Sequence, residues 1–517
     1  MAERLVVVGG DATGMSAASQ ARRYKDRAAL EIIAFERGNY TSYSACGIPY
    51  WVGNVVDGPE RLVARSPEEH RKRDIDLRMR TEVTRIDLER RRVRSRDLGP
   101  QHPGSRDSRD SRDSDSRDSD SRDSDSPDSD SPDSNSPDSD SPDWDSRDFG
   151  SGDGAESWTE FDHLVIATGA EPLRPHLPGI DAPNVHGVQT LDDGEALLRT
   201  LEEADGEAHE QAHEAVVVGA GYIGVEMAEA LIRRGLRVTL LERREQPMST
   251  LDPDMGSLVH KAIEAMGIDV VTGATVSEIR TDDGGRARAV VTDDGQEFAA
   301  DVVVLGLGVR PNTALAREAG LPLGESGGLL TDLAMRVRGL EGIWAGGDCV
   351  EVLNLVSGRT QHIPLGTHAN KHGQVIGTNI GGGYAMFPGV VGTAVSKVCD
   401  LEIARTGLLE EDALALGLQF VTAVIDSTSR AGYYPDSEKM TVKILAERRT
   451  GRLLGMQIVG KEGAGKRVDV GAVALTNRMT VEQMTALDLG YAPPFSPVWD
   501  PVLVAARKAV KEVARDS

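Results

Sequence analysis

Cys46 is the residue of this chain best suited to redox chemistry. It lies in the segment 42–50, Ser-Tyr-Ser-Ala-Cys-Gly-Ile-Pro-Tyr, and the other cysteines, Cys349 and Cys399, are hundreds of residues away. A low-pKa cysteine thiolate can attack a disulfide, hold a mixed disulfide or cycle through a sulfenic acid. A free cysteine can also be a small buried apolar residue, which is the expectation for Cys349, in a turn, and Cys399, in a Val-rich strand. The surroundings of Cys46 therefore decide its chemistry.

Two segments share a pattern that could place a cofactor beside Cys46. Each has an apolar strand, a glycine-rich turn, a helix of small residues, a second strand and an acid. The first runs from the strand 5–8 through Gly9-Gly10-Asp11-Ala12-Thr13-Gly14 to Glu36, and the second from the strand 216–218 through Gly219-Ala220-Gly221-Tyr222-Ile223-Gly224 to Glu242. The glycines permit a tight turn and close approach to a pyrophosphate, and the acid can accept hydrogen bonds from a ribose. The pattern predicts two dinucleotide-binding domains.

The two fingerprints differ in completeness. The second has every glycine at the required spacing, whereas the first has Asp11 where the middle glycine is usual and is supported by Glu36. Glu242 favours NADH, because a carboxylate repels a 2′-phosphate. Arg243 and Arg244 follow directly and could pair with that phosphate, so NADPH stays open.

Two more segments complete a family pattern. One is a strand over 161–167 ending at Thr168-Gly169, and the other ends a strand at Asp348, an acid able to bind a ribityl hydroxyl. With these four pieces the chain resembles the pyridine nucleotide-disulfide oxidoreductases. The resemblance implies an α/β fold with two Rossmann-like dinucleotide-binding domains, one for FAD and one for NAD(P)H, plus a C-terminal α+β dimerisation domain. The expected bounds are 1–193 with 327–385 for FAD, 194–326 for NAD(P)H and 386–517 for dimerisation.

The same resemblance assigns site residues by position. Glu226 is expected near the flavin and Tyr222 is expected to gate the nicotinamide pocket. The residues implied for FAD are Gly9, Gly14, Glu36, Thr168, Gly169 and Asp348, and those implied for the nicotinamide cofactor are Gly219, Gly221, Tyr222, Gly224 and Glu242.

Within this family the lone cysteine indicates the branch. Members with two redox cysteines carry Cys-x-x-x-x-Cys, but the residue five after Cys46 is Trp51. Those members also use a histidine from the C-terminal domain of the partner subunit, whereas the last histidine of this chain is His372, before that domain. Single-cysteine oxidases and peroxidases place a histidine in the first glycine loop, at the position of Ala12. The run after Cys46 and the segment 491–496 instead look like coenzyme A-disulfide reductase. There tyrosines from the partner subunit lie over the thiol.

The resemblance predicts the catalytic and substrate groups. Tyr491 and one of Tyr433 and Tyr434 are the matching tyrosines, and a phenol can protonate a leaving thiolate. Interface packing is the alternative role for these tyrosines. Three residues match coenzyme A positions, and two others depart from the pattern, because Ala45 replaces an asparagine and Asp74 stands where a lysine is usual. The matching residues are Gln20, Arg23 and Ser42.

The predicted reaction passes hydride from NAD(P)H to FAD and two electrons on to a mixed disulfide of Cys46 with a small thiol. The substrate is a coenzyme A disulfide or another low-molecular-weight disulfide, and the protein is expected to be an obligate two-fold homodimer formed through residues beyond about 386. Two alternatives stay open: an NAD(P)H oxidase using a Cys46 sulfenate with oxygen, and a flavin-bound redox sensor.

Composition limits the partners. With 58 Lys and Arg against 83 Asp and Glu, the net charge of −25 argues against nucleic acid and anionic membranes. There is no apolar run of the ~18 residues that a membrane span needs, no cleavable signal and no metal motif, so the cytoplasm is the expected location. Residues 101–150 hold 16 Asp and 6 Arg among serines. We predict that 99–157 is a disordered insertion in an expanded hairpin.

Overall fold

The computed structural model describes residues 2–99, 156–207 and 213–515. The elements up to residue 207 are β1 (Glu3–Val8), α1 (Ala12–Tyr24), β2 (Leu30–Phe35), α2 (Ile48–Val52), α3 (Pro67–Arg71), β3 (Asp76–Arg78), β4 (Thr81–Asp87), β5 (Arg92–Asp97), β6 (Glu156–Glu160), β7 (His163–Ile166), β8 (Ala170–Pro172), β9 (Val185–Gly187) and α4 (Leu191–Glu207). Short 3₁₀ turns cover Ala45–Gly47 and Pro59–Leu62.

The elements from residue 213 to 380 are β10 (Glu214–Val218), α5 (Tyr222–Arg233), β11 (Arg237–Glu242), α6 (Pro253–Ala265), β12 (Asp269–Thr272), β13 (Val276–Thr281), β14 (Ala287–Thr292), β15 (Glu297–Ala299), β16 (Val302–Leu305), β17 (Val309–Pro311), α7 (Ala314–Glu318), β18 (Leu329–Leu330), β19 (Ile343–Ala345), β20 (Val350–Leu353), β21 (Thr360–Gln361) and α8 (Gly366–Ile380). Those that follow are β22 (Ala394–Val398), β23 (Leu401–Gly407), α9 (Glu410–Ala415), β24 (Phe420–Thr428), β25 (Lys439–Glu447), β26 (Leu453–Gly460), α10 (Ala464–Thr476), α11 (Val481–Met484) and α12 (Pro501–Arg515).

The first sheet carries the first glycine loop. Its strands are parallel in the order β19-β7-β1-β2-β3. Residues 5–8 of β1 are an unbroken apolar run, as expected for a sheet that is buried on both faces, and Leu5, Val6 and Val7 are fully buried. Helix α8 lies against α1 at Gly377, where an added Cβ would stand 2.4 Å from the Ala17 carbonyl oxygen. The loop is thus anchored between a sheet and two helices.

The second sheet repeats this plan. Its order is β12-β11-β10-β16-β9, again parallel, and β10 leads into the second glycine loop. The two predicted Rossmann-like domains are confirmed. Strand β9 precedes residue 194, the expected start of the second domain, yet it pairs with β16. We therefore propose to move this boundary to the start of β9.

The acidic segment interrupts a hairpin. Strands β4, β5 and β6 form an antiparallel sheet in which Arg96 pairs with Glu156, so the expanded hairpin is confirmed. Residues 100–155 of the predicted insertion lie outside the described residues. The prediction of disorder is wrong for residues 156 and 157, because they pair with β5 and the Arg92 guanidinium covers the Trp158 ring at 4.0 Å.

The C-terminal unit is an antiparallel sheet in the order β22-β23-β26-β25-β24 with α10 and α12 packed against it, which confirms the α+β prediction. Cys399 lies in the turn between β22 and β23 with φ of 50°, not in a strand as expected. No helix in residues 2–99, 156–207 and 213–515 is long and apolar enough to cross a bilayer.

A buried ion cluster joins this unit to the second dinucleotide unit. Lys443 of β25 donates to Asp252, Asp254 and Glu410 at 3.0, 2.7 and 2.7 Å. The side chains of Lys443 and Asp252 are only 3% and 2% exposed, and Gln457 hydrogen-bonds Asp252 as well. These contacts raise the pKa of Lys443 despite burial, which opposes them.

Candidate active site

The first glycine loop is shaped by close backbone contacts. Gly9 has φ of +108°, and a Cβ there would stand 2.1 Å from the Ala167 carbonyl oxygen; a Cβ on Gly14 would stand 1.9 Å from the Gly9 carbonyl oxygen. The Glu36 carboxylate accepts the amide protons of Gly10 and Gly38, each at 2.7 Å. Burial raises the pKa of Glu36. The loop is therefore preformed, with an acid at its mouth where a ribose could bind.

The second glycine loop has the same close packing at its last glycine, Gly224, but is open at its middle glycine, Gly221. A Cβ on Gly224 would stand 1.9 Å from the Gly219 carbonyl oxygen, whereas a Cβ on Gly221 would meet no atom within 4 Å. The carboxylate of Glu242 accepts the amide protons of Ala220 and Arg244, both at 2.8 Å. The chain itself thus requires glycine at 224, while the open space at Gly221 is available to a ligand.

One cavity of about 2590 Å³ connects the two loops. This volume is well above the ~300–1,000 Å³ typical of a site for one drug-sized ligand, so the cavity has room for more than one nucleotide. It brings together most of the sequence-predicted residues, and Gly14 and Gly224 only pack beneath it. The predicted residues that line it are Gly9, Gln20, Arg23, Glu36, Ser42, Cys46, Thr168, Gly169, Gly219, Gly221, Tyr222, Glu226, Glu242 and Asp348.

Cys46 lies on the 3₁₀ turn that precedes α2 and faces this cavity. Its segment is tied to the first glycine loop, because Asp11 Oδ1 accepts the Tyr43 amide proton at 3.1 Å and the Thr41 hydroxyl donates to the Gly10 carbonyl. Sequence reasoning treated Asp11 only as a departure from the fingerprint; an acid at the first residue before a helix was the available signal. The Cys46 side chain is therefore held beside the first nucleotide loop.

The environment of Cys46 disfavours a thiolate in the chain by itself. The cavity walls exclude enough water to raise the pKa of the Cys46 thiol, although the residue is open to the cavity, and the charges of Glu226 and Asp348 raise it further. Burial also raises the pKa of Asp348, to about 6. Among the described residues no cation opposes this shift, and only a backbone hydrogen bond lowers the pKa of Cys46.

Cys349, unlike Cys46, is enclosed in the core. It is fully buried, its thiol donates to the carbonyls of Gly346 and Ile166 at 3.3 and 3.5 Å, and burial raises its pKa to about 11. The packing role expected for Cys349 fits this environment.

Glu226 connects the cavity to the C-terminal unit. Its Oε1 accepts the Ser396 hydroxyl proton at 2.7 Å, and burial raises the pKa of Glu226. Ser396 was missed from the sequence, since it lies 170 residues from Glu226 with no motif around it. Tyr222 stands at the first turn of α5, where burial raises its pKa and the Arg405 cation opposes the shift.

The predicted substrate residues share the cavity wall and hydrogen-bond within the chain. Ser42 has a φ of 50°, and its hydroxyl oxygen lies 2.9 Å from His70 Nε2. Gln20 donates to Thr378 at 3.1 Å and accepts from Arg23 at 3.2 Å. Burial lowers the pKa of His70 to about 4, so this histidine is neutral at ordinary pH. No sequence signal pointed to His70.

The three predicted tyrosines do not line the cavity. Tyr433 and Tyr491 are 79% and 48% exposed, and Tyr434 is half-buried. The loops that carry them meet at the Ala431 amide, which donates to the Pro493 carbonyl at 3.1 Å. Within one chain the tyrosines are therefore separate from Cys46.

Sequence comparisons place these features in a known group. The family model described as pyridine nucleotide-disulphide oxidoreductase matches residues 3–373, and the model of that family's dimerisation domain matches residues 393–501. The chain belongs to the pyridine nucleotide-disulphide oxidoreductase family. Family members use FAD and NAD(P)H, and the protein is a FAD-dependent NAD(P)H oxidoreductase.

Individual relatives of this oxidoreductase act on sulfur compounds or are named oxidases. A NAD(P)H sulfur oxidoreductase (CoA-dependent) of Pyrococcus abyssi is 34% identical over 505 residues, covering 97% of both chains. A NADH oxidase of Methanocaldococcus jannaschii is 31% identical, covering 99% of both. The solved structure of a NAD-dependent persulfide reductase from A. fulgidus is 36% identical with a TM-score of 0.83, covering 99% of this chain and 83% of that one.

The residues of this oxidoreductase fit both cofactors. The first residue of the helix after each glycine loop, Ala12 or Tyr222, lines the cavity, and a helix N-terminus suits a pyrophosphate. Each acid is already oriented by two amides. We propose that the first loop, with Asp348, would hold FAD and that the second would hold NAD(P)H.

Proposed function

We propose that this oxidoreductase reduces the S–S bond of a low-molecular-weight disulfide or persulfide through Cys46. The observation that carries the proposal is the position of Cys46 in the cavity that both nucleotide loops share. The other two thiols lie elsewhere, Cys349 inside the core and Cys399 in a turn of the C-terminal sheet. The names of the P. abyssi and A. fulgidus relatives support a sulfur substrate.

The proposed reaction is NAD(P)H + H⁺ + RSSR′ → NAD(P)⁺ + RSH + R′SH, where R′ is hydrogen for a persulfide. FAD, when bound, supplies the two-electron exchange between the nicotinamide and sulfur. The Cys46 thiolate attacks one sulfur of the substrate, forms a mixed disulfide and expels the other sulfur as a thiolate. Two-electron cleavage of the mixed disulfide then releases the second thiol and restores Cys46.

The Cys46 thiolate requires stabilisation by groups outside the single chain. Burial and two carboxylates raise its pKa here, so we propose that the bound cofactor and a second subunit supply the stabilisation that the chain lacks. We also propose that Tyr433 and Tyr491 of a second copy donate protons to departing thiolates. The match to the dimerisation domain over residues 393–501 supports a homodimer.

Arg243 is our candidate for recognising NADPH. Arg243 and Arg244 are both exposed and both line the cavity beside Glu242, but Arg244 is paired with Glu411 at 3.0 Å. Glu242 can bind the ribose of NADH, and Arg243 can pair with a 2′-phosphate. We propose that the enzyme accepts both coenzymes.

The test is anaerobic NADH consumption with coenzyme A disulfide, coenzyme A persulfide and glutathione disulfide, with thiol release measured in parallel. Cys46→Ser should lose thiol release by at least about 100-fold and keep NADH-dependent reduction of ferricyanide, because the hydride step does not use the thiol. Cys399→Ser is the matched control and should keep both activities. Turnover with oxygen alone would refute the proposal in favour of an oxidase, and no turnover with any acceptor would favour a sensor.

A further inference from the structure

Arg467 lies where the two tyrosine loops meet. We call residues 429–438 the first tyrosine loop and residues 491–500 the second. The Nη2 of Arg467 donates to the Ser429 carbonyl of the first loop at 2.7 Å and to the Phe495 carbonyl of the second at 2.8 Å. Its Nη1 donates to the Gly463 carbonyl at 2.6 Å, and its Nε to Asp500 at 3.1 Å. The side chain is only 11% exposed.

The anchor of this guanidinium is itself rigid. The Asp500 carboxylate accepts the Val502 amide proton at 2.8 Å, at the start of α12, and the Ser496 hydroxyl proton at 3.2 Å. Arg467 belongs to α10, so its four hydrogen bonds connect two helices and both loops. A planar guanidinium fixes the directions of its donors, which a lysine ammonium cannot do.

The tyrosines at the loop tips have little support of their own. Tyr433 and Tyr491 project into solvent and interact with each other, and desolvation together with this interaction raises the pKa of Tyr433. One backbone hydrogen bond, from Ala431 to Pro493, joins the loops nearer the tips. The separation of the two phenols therefore depends on what holds the loop bases together.

We infer that Arg467 is a positioning residue that fixes Tyr433 and Tyr491 as a pair, so that both phenols reach the sulfur of Cys46 in a second copy of this chain. The inference rests on the proposed function. Its physical basis is geometric: proton donors act within hydrogen-bond reach, and a misplacement of 1 Å can cost about 100-fold in rate.

The experiment uses Arg467→Lys in the FAD-loaded dimer. Arg452→Lys is the matched control, because Arg452 also donates to a distant carbonyl of Val356, at 3.1 Å, but contacts neither tyrosine loop. We expect Arg467→Lys to keep dimer mass and ferricyanide reduction within about twofold and to lower kcat for thiol release about 10- to 100-fold. The pH profile of thiol release should change as it does in Tyr491→Phe, and Arg452→Lys should match the wild type.

A variant in which both phenols are absent separates positioning from general stabilisation. Arg467→Lys added to the double variant Tyr433→Phe/Tyr491→Phe should be no slower than that double variant alone, because residues acting through one another are not additive. Additive losses, or normal turnover in Arg467→Lys while the tyrosine variants are slow, would overturn the inference and leave the proposed function standing. Full turnover in both Tyr433→Phe and Tyr491→Phe would overturn the proposed tyrosine role as well. If Arg467→Lys does not dimerise, Asp500→Asn tests the same anchor by the same comparison.

Discussion

Replacing Gly221 by alanine should show whether glycine is needed there for nucleotide binding rather than for folding of the chain. The backbone at Gly221 has φ of −77° and ψ of −171°, which alanine adopts freely, and an added Cβ would meet no protein atom within 4 Å. At Gly224 the same methyl would stand 1.9 Å from the Gly219 carbonyl oxygen. The two substitutions are chemically identical, so any difference between them reports the surroundings.

Gly221→Ala is expected to weaken NADH binding, whereas Gly224→Ala is expected to lower folding stability. For Gly221→Ala, the loss of a favourable helix-cap residue, about 0.5 to 1 kcal/mol, nearly cancels a similar gain from the less flexible unfolded chain. If the methyl displaces one backbone amide from the pyrophosphate, the lost hydrogen bond to a charged group costs about 1.5–3 kcal/mol, or about 10- to 150-fold in KM for NADH. Gly224→Ala should instead cost about 1–3 kcal/mol of folding stability or more.

The assay measures KM and kcat for NADH by ferricyanide reduction and the melting temperature by flavin fluorescence. We expect Gly221→Ala to melt with the wild type and to need about 10-fold more NADH or higher. Gly224→Ala should melt several degrees lower. A Gly221→Ala enzyme with unchanged KM would refute the assignment of this space to the pyrophosphate.

Three further predictions concern charge. Lys443→Met should lower the free energy of unfolding by about 3–5 kcal/mol in a denaturant titration, because it leaves the buried Asp252 without its cation. If the titration shows no loss, or if adding Asp252→Asn recovers none of the lost stability, the cluster does not stabilise the fold. Arg243→Ser should raise KM for NADPH and leave KM for NADH unchanged, and equal effects on both coenzymes would contradict the 2′-phosphate role. Glu226→Gln removes a negative charge that raises the pKa of Cys46, so the pH profile of its alkylation by iodoacetamide should shift to lower pH; an unchanged profile or an upward shift would count against the electrostatic argument.

The nucleotide loops could be predicted from the sequence because their constraints are local. Gly9 has a φ of +108° and a Cβ there would overlap the Ala167 carbonyl oxygen, and a Cβ on Gly14 would overlap the Gly9 carbonyl oxygen, so glycine is required at both positions and the geometry is visible in the residue type. The acid at the end of the next strand, Glu36 or Glu242, accepts an amide proton of the glycine loop, and this contact fixes its distance from the loop along the chain. The two dinucleotide-binding units follow from such spacings, and the identity of the cofactors follows from the family resemblance.

The tertiary structure alone decided what depends on distance between remote residues. It paired Glu226 with Ser396 and Arg244 with Glu411, and it brought Tyr433 rather than Tyr434 beside Tyr491. It also placed Cys46 among groups that raise the pKa of its thiol. A pKa depends on burial and on charges a few ångströms away in space, and those neighbours come from parts of the chain whose separation in sequence carries no information about their contact.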